Sequence, residues 1–272
     1  EPEHWIDVIS ESENPLNSIS IVDGKLLVKY SVDVSSRLYV YTIRGQLETE
    51  VVLPTVGTAY GFSGDASDKE VFYTFTSFAY PPIVFRYNIK DNISEVYKET
   101  NINIDFSKFI TKQIFYSSKD GTKIPMYITH KKDLVYNGSS PTLLYAYGGF
   151  NISINPSFSI SRMLLLENDG IYASANIRGG GEYGEKWHEE GMLHNKQNVF
   201  DDFIFAADYL VNNNFTNRKK LAIQGGSNGG LLIGAVINQR PDLCAVALPS
   251  VGVMDMLRYA KFTIGWAWEV EY

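Results

Sequence analysis

Over the first hundred residues, apolar and polar positions alternate at short spacing with little helical period. Ile19–Val22 and Leu26–Tyr30 flank Asp23-Gly24, a strong signal for a tight hairpin. Arg37–Ile43 and Leu47–Val52 flank Arg44-Gly45-Gln46 in the same way. From Gln113 the pattern changes. Ile114–Tyr116 and Ile124–Thr129 read as strands around the turn Lys119-Asp120-Gly121-Thr122, and Thr142–Tyr147 as a strand ending in Gly148-Gly149-Phe150. Arg162–Glu167 reads as a helix, Ile171–Ile177 as a buried strand and Asp201–Val211 as an amphipathic helix with Asn198 as its candidate N-cap. Leu221–Ile223 reads as a further strand, Leu231–Ile237 as a helix stopped by Pro241, and Ala245–Leu248 as one more strand.

The first region repeats itself after about 46 residues, near the length of a propeller blade. Leu26, Tyr39, Tyr41, Ile43, Leu47 and Val51 align without a gap on Phe72, Phe85, Tyr87, Ile89, Ile93 and Tyr97. A four-stranded unit of this kind cannot cover both its faces alone, so it needs a neighbour on each side. The expectation is a partial β-propeller of about two blades over residues 1–106, with a two-sheet sandwich as the alternative. The aromatic residues Tyr39, Tyr41, Phe72, Phe75, Phe85 and Tyr87 are expected to pack the blades. Strands alternating with helices over 107–272 imply a mostly parallel sheet covered on both faces, a partial α/β-hydrolase domain.

Chemistry concentrates at Gly225-Gly226-Ser227-Asn228-Gly229, between strand and helix. This is the layout of a nucleophile elbow, where glycines allow a sharp turn that presents the serine at the top of the sheet. A bland reading, a glycine-rich turn that holds a phosphate, uses the same residues. For acyl transfer Ser227 is the nucleophile, and the N–H of Asn228 supplies one oxyanion donor. A second donor belongs on the early strand-to-helix loop, where Tyr147-Gly148-Gly149-Phe150 stands. The remaining parts are a histidine base and a carboxylate. All four histidines, His4, His130, His188 and His194, precede Ser227, whereas the hydrolase order places the base after the nucleophile. His188 and His194 flank the segment before a helix and could stand near the site, yet none of the four is expected to be the base. Asp242 and Asp255 have no histidine to orient. Both ends of the chain are therefore expected to cut through domains, and the chain alone is expected to be inactive.

Composition narrows the picture further. A formal net charge of −7 argues against a nucleic-acid or anionic-membrane surface, and no apolar run reaches membrane-spanning length. The single cysteine, Cys244, excludes a disulfide framework and suits a reducing, cytoplasmic compartment. No metal-ligand pattern appears, and no cofactor is expected. The N-x-S/T triplets at Asn92, Asn137, Asn151 and Asn214 are expected to be chance matches.

Longer stretches carry a resemblance. Gln-Gly-Gly-Ser-Asn-Gly-Gly (224–230), Tyr-Gly-Gly-Phe-Asn (147–151), Asn-Ile-Arg-Gly-Gly-Gly-Glu-Tyr-Gly (176–184), Asn-Gln-Arg-Pro-Asp-Leu (238–243) and Thr-Ile-Gly-Trp-Ala-Trp (263–268) resemble the prolyl oligopeptidase family. Matching segments extend over essentially the whole chain. The resemblance implies a seven-bladed propeller joined to an α/β hydrolase that cleaves short peptides on the carboxyl side of proline, acting as a monomer when full length. It implies Ser227 as nucleophile, the Tyr147 hydroxyl with the Asn228 N–H at the oxyanion, Trp268 stacking on the substrate proline, and Phe150, Val253 and Tyr272 as further walls. A proline ring is apolar and cannot donate an N–H, so an uncharged aromatic slot suits it. Two alternatives stay open: a related oligopeptidase with another specificity, which would need acidic groups in the pocket, where only Glu269 and Glu271 are close in sequence; and a non-catalytic propeller–hydrolase interaction protein.

Overall fold

A computed structural model describes residues 5–272, so His4 lies outside the described residues. The chain divides into two compact units, residues 1–105 with 155–158, and 106–154 with 159–272.

The first unit is two four-stranded antiparallel sheets. β1 (Leu16–Val22), β2 (Lys25–Val32), β3 (Ser35–Thr42) and β4 (Leu47–Val51) meander in order. So do β5 (Thr58–Ser63), β6 (Glu70–Ser77), β7 (Tyr80–Asn88) and β8 (Ile93–Lys98). Asp23 and Gly24 both take positive φ, 49° and 70°, the conformation a two-residue hairpin needs to follow strand twist. The repeat holds for the last three strands of each sheet. The first strand breaks it, because β5 ends at Ser63 and six residues, not two, lead to β6. Val22, Leu27, Leu38, Val40 and Val51 of one sheet share an apolar cluster with Phe62, Tyr73, Phe75, Phe85 and Tyr87 of the other. Phe72 packs against an aromatic neighbour of its own sheet. It is 41% exposed and meets Tyr97 edge-on at 4.9 Å on an outer face.

The second unit is built on a six-stranded sheet. β9 (Phe109–Ser117) and β10 (Lys123–Lys131) form an antiparallel hairpin, longer than the apolar run alone suggests. β11 (Thr142–Tyr145), β12 (Ile171–Ala175), β13 (Leu221–Gly226) and β14 (Val246–Ser250) pair in parallel, in the overall order β14-β13-β11-β12-β10-β9. Only the β10–β12 junction and the hairpin are antiparallel. Helices α1 (Ile160–Glu167), α2 (Glu185–Glu189), α3 (Lys196–Asn212) and α4 (Asn228–Gln239) complete the unit. Helix α3 starts earlier than periodicity suggested. Asn195 is its N-cap, and Asn198 lies inside the first turn, where its amide donates to the Glu190 carbonyl at 2.9 Å.

The core of this unit joins Ile124, Met126, Leu144, Ile171, Ala173, Leu221 and Ile223 of the sheet to Phe203, Ala206, Leu210, Leu232, Ile233 and Val236 of α3 and α4. Burial of this kind, worth roughly 25 cal/mol per Å² of apolar surface, fixes the strand ends from which the site loops project. Arg178 adds a polar clamp. Its guanidinium donates to both oxygens of the fully buried Asp202, at 3.0 and 2.7 Å, and to Asp120 at 2.6 Å, tying the β9–β10 turn to α3 and the loop after β12.

Candidate active site

The turn between β13 and α4 is tight because its glycines let backbone meet backbone. A Cβ on Gly225 would stand 2.2 Å from the Gly229 carbonyl oxygen, so no larger residue fits. Ser227 takes φ 55° and ψ −117°, a conformation that costs a non-glycine residue about 1–3 kcal/mol. The Ser227 N–H donates to the Ser250 carbonyl at 2.9 Å, and the Ser227 carbonyl accepts from Gly230 and Leu231 at 2.9 and 3.1 Å. These bonds hold the strain in place. The result is an exposed serine at the head of α4, whose first N–H groups lack intrahelical acceptors.

Facing it is the loop after β11. Gly148, Phe150 and Asn151 all have positive φ, 65°, 56° and 55°. This coil packs on the loop after β12, where a Cβ on Gly179 would lie 2.6 Å from the Gly148 carbonyl oxygen. The loop brings the Tyr147 phenol near enough to the Ser227 side chain to interact with it. Burial raises the phenol's pKa, the Ser227 side chain opposes the rise, and the charge of Glu271 adds to it. Tyr147 therefore stays protonated and keeps a proton to donate.

Asn228 links the two loops. Its side-chain amide donates to the Tyr147 carbonyl at 2.7 Å, and its Oδ1 accepts from the Tyr272 hydroxyl at 3.1 Å and from Lys196 Nζ at 3.1 Å. Phe150 meets the Tyr272 ring edge-on at 5.7 Å, and Tyr259 does so from another side at 5.4 Å. Ser227, Tyr147, Asn228, Phe150 and Tyr272 are thus one cluster. Val253 and Trp268 are half-buried on the segment that leads to Tyr272. The Trp268 carbonyl accepts from the N–H groups of Glu271 and Tyr272 at 2.9 and 3.1 Å, and its indole stacks on no other aromatic ring among the described residues.

This segment and the elbow belong to a chain whose parts match known proteins. Residues 1–100 match the prolyl oligopeptidase N-terminal β-propeller domain, and residues 156–272 match the prolyl oligopeptidase family. The chain belongs to the prolyl oligopeptidase family. It is 48% identical over 271 residues to the prolyl endopeptidase of Elizabethkingia miricola, covering 100% of this chain and 38% of that protein. It is 44% identical to the prolyl endopeptidase of Dictyostelium discoideum, covering 98% and 36%. A solved structure from a study of two prolyl endopeptidases superposes with a TM-score of 0.94 at 43% identity, over 100% of this chain and 40% of that one. Prolyl oligopeptidase B from Galerina marginata, bound to a 25-residue macrocyclization substrate, superposes at 0.92 with 35% identity, over 98% and 38%. The chain spans a little over a third of the length of these curated relatives. No helix among the described residues is long and apolar enough to cross a membrane.

Beneath this family's elbow lie three paired residues, of which His188 and Glu271 stand out in the sequence and Lys196 does not. Glu271 is 2% exposed, with one oxygen 2.8 Å from His188 Nε2 and the other accepting from Lys196 Nζ at 3.3 Å. It is not an open acidic group in a pocket. Glu269, its neighbour, is exposed. His188 also faces Glu185 through Nδ1 at 3.1 Å, so both ring nitrogens meet carboxylates, which only accept. Burial disfavours the charged ring, yet the two carboxylates prevail and raise its pKa. His130 is buried and bonded to Tyr136 at 2.7 Å, and burial lowers its pKa. His194 is exposed in the short turn that precedes α3. No short-range signal marks Lys196 or the pairing of Glu271, because the partners lie 32, 75 and 83 residues away.

Proposed function

We propose that the protein is a serine peptidase that cleaves short peptides on the carboxyl side of proline through an acyl-enzyme at Ser227. One observation carries this reading: Ser227 is exposed at a strained elbow, with the Tyr147 phenol near enough to its side chain to feel it. A tetrahedral oxyanion formed on attack by Ser227 Oγ would take the Tyr147 O–H and the Asn228 N–H as donors. The carbonyl carbon bonds to Oγ, the amine leaves with a proton, and water then releases the acid. Phe150, Tyr272, Val253 and Trp268 would supply the apolar and aromatic surface, which suits a ring without an N–H. The pairing of Glu271 with Lys196 and His188 removes the acidic group that a basic specificity would require. In this reading the folded units correspond to a propeller part over 1–106 and a hydrolase part over 107–272, in a cytoplasmic monomer that takes proline-containing peptides and neither nucleic acid nor membrane.

The full-length protein tests the reading. It should hydrolyse a fluorogenic peptide with proline before the scissile bond, and Ser227→Ala should abolish turnover together with labelling by a fluorophosphonate. Turnover that survives Ser227→Ala, or equal rates for proline and alanine at that position, would sink it.

A further inference from the structure

Beneath the proposed oxyanion site lies a line of side chains with alternating charge: Glu185, His188, Glu271 and Lys196. It ends on Asn228. Lys196 is the least expected member. It is the first residue of α3, and a cation there faces the positive end of the helix dipole. Its side chain is only 12% exposed, and desolvation lowers its pKa despite the opposing charge and hydrogen bond of Glu271. A lysine placed against both burial and dipole is held by its partners. Those partners are the Gly148 carbonyl at 3.2 Å, Asn228 Oδ1 at 3.1 Å and Glu271 Oε1 at 3.3 Å, with the Tyr272 ring 5.2 Å below the ammonium.

The three ammonium protons thus bridge the three pieces of backbone that build the site: the loop after β11, the head of α4 and the turn that ends at Tyr272. Asn228 passes the constraint on. With Oδ1 fixed by Lys196 and Tyr272, its amide N–H₂ is aimed at the Tyr147 carbonyl, and that bond sets where the phenol stands relative to Ser227 Oγ. A Cβ on Gly149 would come 2.5 Å from Asn228 Nδ2, so the amide has little room to turn by itself. We propose that Lys196, seated on Glu271, is a positioning residue that aligns the two oxyanion donors, Tyr147 and Asn228, without touching substrate. The inference rests on the reading of Ser227 as nucleophile and not on the preference for proline.

The test uses the full-length protein with Lys196→Met and, since a lysine removal leaves Glu271 half-paired, the near-isosteric Glu271→Gln as a second variant. Lys196→Met should lower kcat about tenfold to a hundredfold, roughly the loss of a misaligned oxyanion donor. It should weaken a peptidyl prolinal, which forms a hemiacetal oxyanion on serine, by the same factor. Affinity for the proline product peptide, which forms no oxyanion, should stay within about threefold. Glu271→Gln should shift the same two quantities in the same direction by less. Phosphonylation of Ser227 by a fluorophosphonate should slow in parallel in both variants. That last readout separates the two proposals: a wild-type protein that is phosphonylated yet cleaves no proline peptide defeats the specificity reading and leaves the alignment test intact. Unchanged phosphonylation in both variants, or equal losses of prolinal and product binding, would overturn the positioning role.

Discussion

The two groups of residues proposed for the site are held by different forces. In one, Tyr147, Asn228, Lys196 and Glu271 are fixed by hydrogen bonds of 2.7 to 3.3 Å among buried groups. By contrast, Val253 lies in an irregular stretch and Trp268 ends a short turn, and Val251, Leu257, Trp266 and Val270 of the same segment are 86%, 96%, 65% and 73% exposed. Directional bonds fix atoms to fractions of an ångström, which is what stabilising a developing charge demands. An apolar wall needs only surface, which sorts ligands by shape at a cost of about 1–3 kcal/mol per group. The polar set is therefore expected to govern kcat and the apolar set selectivity.

The largest effect should come from the polar set. Tyr147→Phe removes the phenol proton and leaves the ring. Under the proposed chemistry kcat should fall about 10²–10³-fold, near 3–4 kcal/mol, with little change in KM. An equal loss in KM instead would mean that Tyr147 binds ground-state substrate, and the comparison would lose its basis.

A second experiment asks what polar groups do here when they lack a complete set of partners. Glu182 is as buried as Glu271, at 3% exposure, but has no cation beside it among its described contacts. One oxygen accepts from Ile154 N–H and the Asn176 amide at 2.9 and 3.1 Å, while the other has no partner among the described residues. Burial raises its pKa from 4.5 to about 7, against the lowering by those hydrogen bonds. The folded state holds the proton more tightly than the unfolded chain. Its contribution is complete below pH 4.5, declines as pH rises and is gone above about 7. Over that window the loss is roughly 3 kcal/mol at most. Glu182→Gln keeps the acceptor and cannot ionise, so its melting temperature should gain several degrees on the wild type between pH 5 and pH 8. A pH-independent difference would show that the carboxyl is already paired.

What the amino-acid pattern reveals follows the same division. The elbow is local: strand, glycine turn and helix are contiguous, so Ser227, Asn228 and the sheet direction are legible. The blades are legible through their period, except where the six-residue connection before β6 displaces β5. Of the shelf under Asn228, the sequence names His188 and Glu271 but not their pairing, and it does not mark Lys196. Lys196, Glu271 and His188 meet only after α2, α3 and the last turn have been brought together, and each alone resembles a solvated surface residue.

The apolar set should give the smallest change, and one of another kind. The Trp268 indole has a face free of other rings among the described residues, and the backbone turn that carries it also places Tyr272. Trp268→Ala should lower kcat/KM for a proline peptide about tenfold, or 1–2 kcal/mol, which is the scale of one aromatic contact. The rate for the matching alanine peptide should stay nearly constant, because a methyl group gains little from the indole. Trp268→Phe should recover much of the difference by restoring a flat face. If Trp268→Ala depressed both peptides equally, the indole would be supporting Tyr272 and the polar shelf rather than selecting the ring. The polar shelf and the segment that carries Trp268 would then be one mechanical unit, since the Trp268 carbonyl is the anchor for both the Glu271 and the Tyr272 N–H groups.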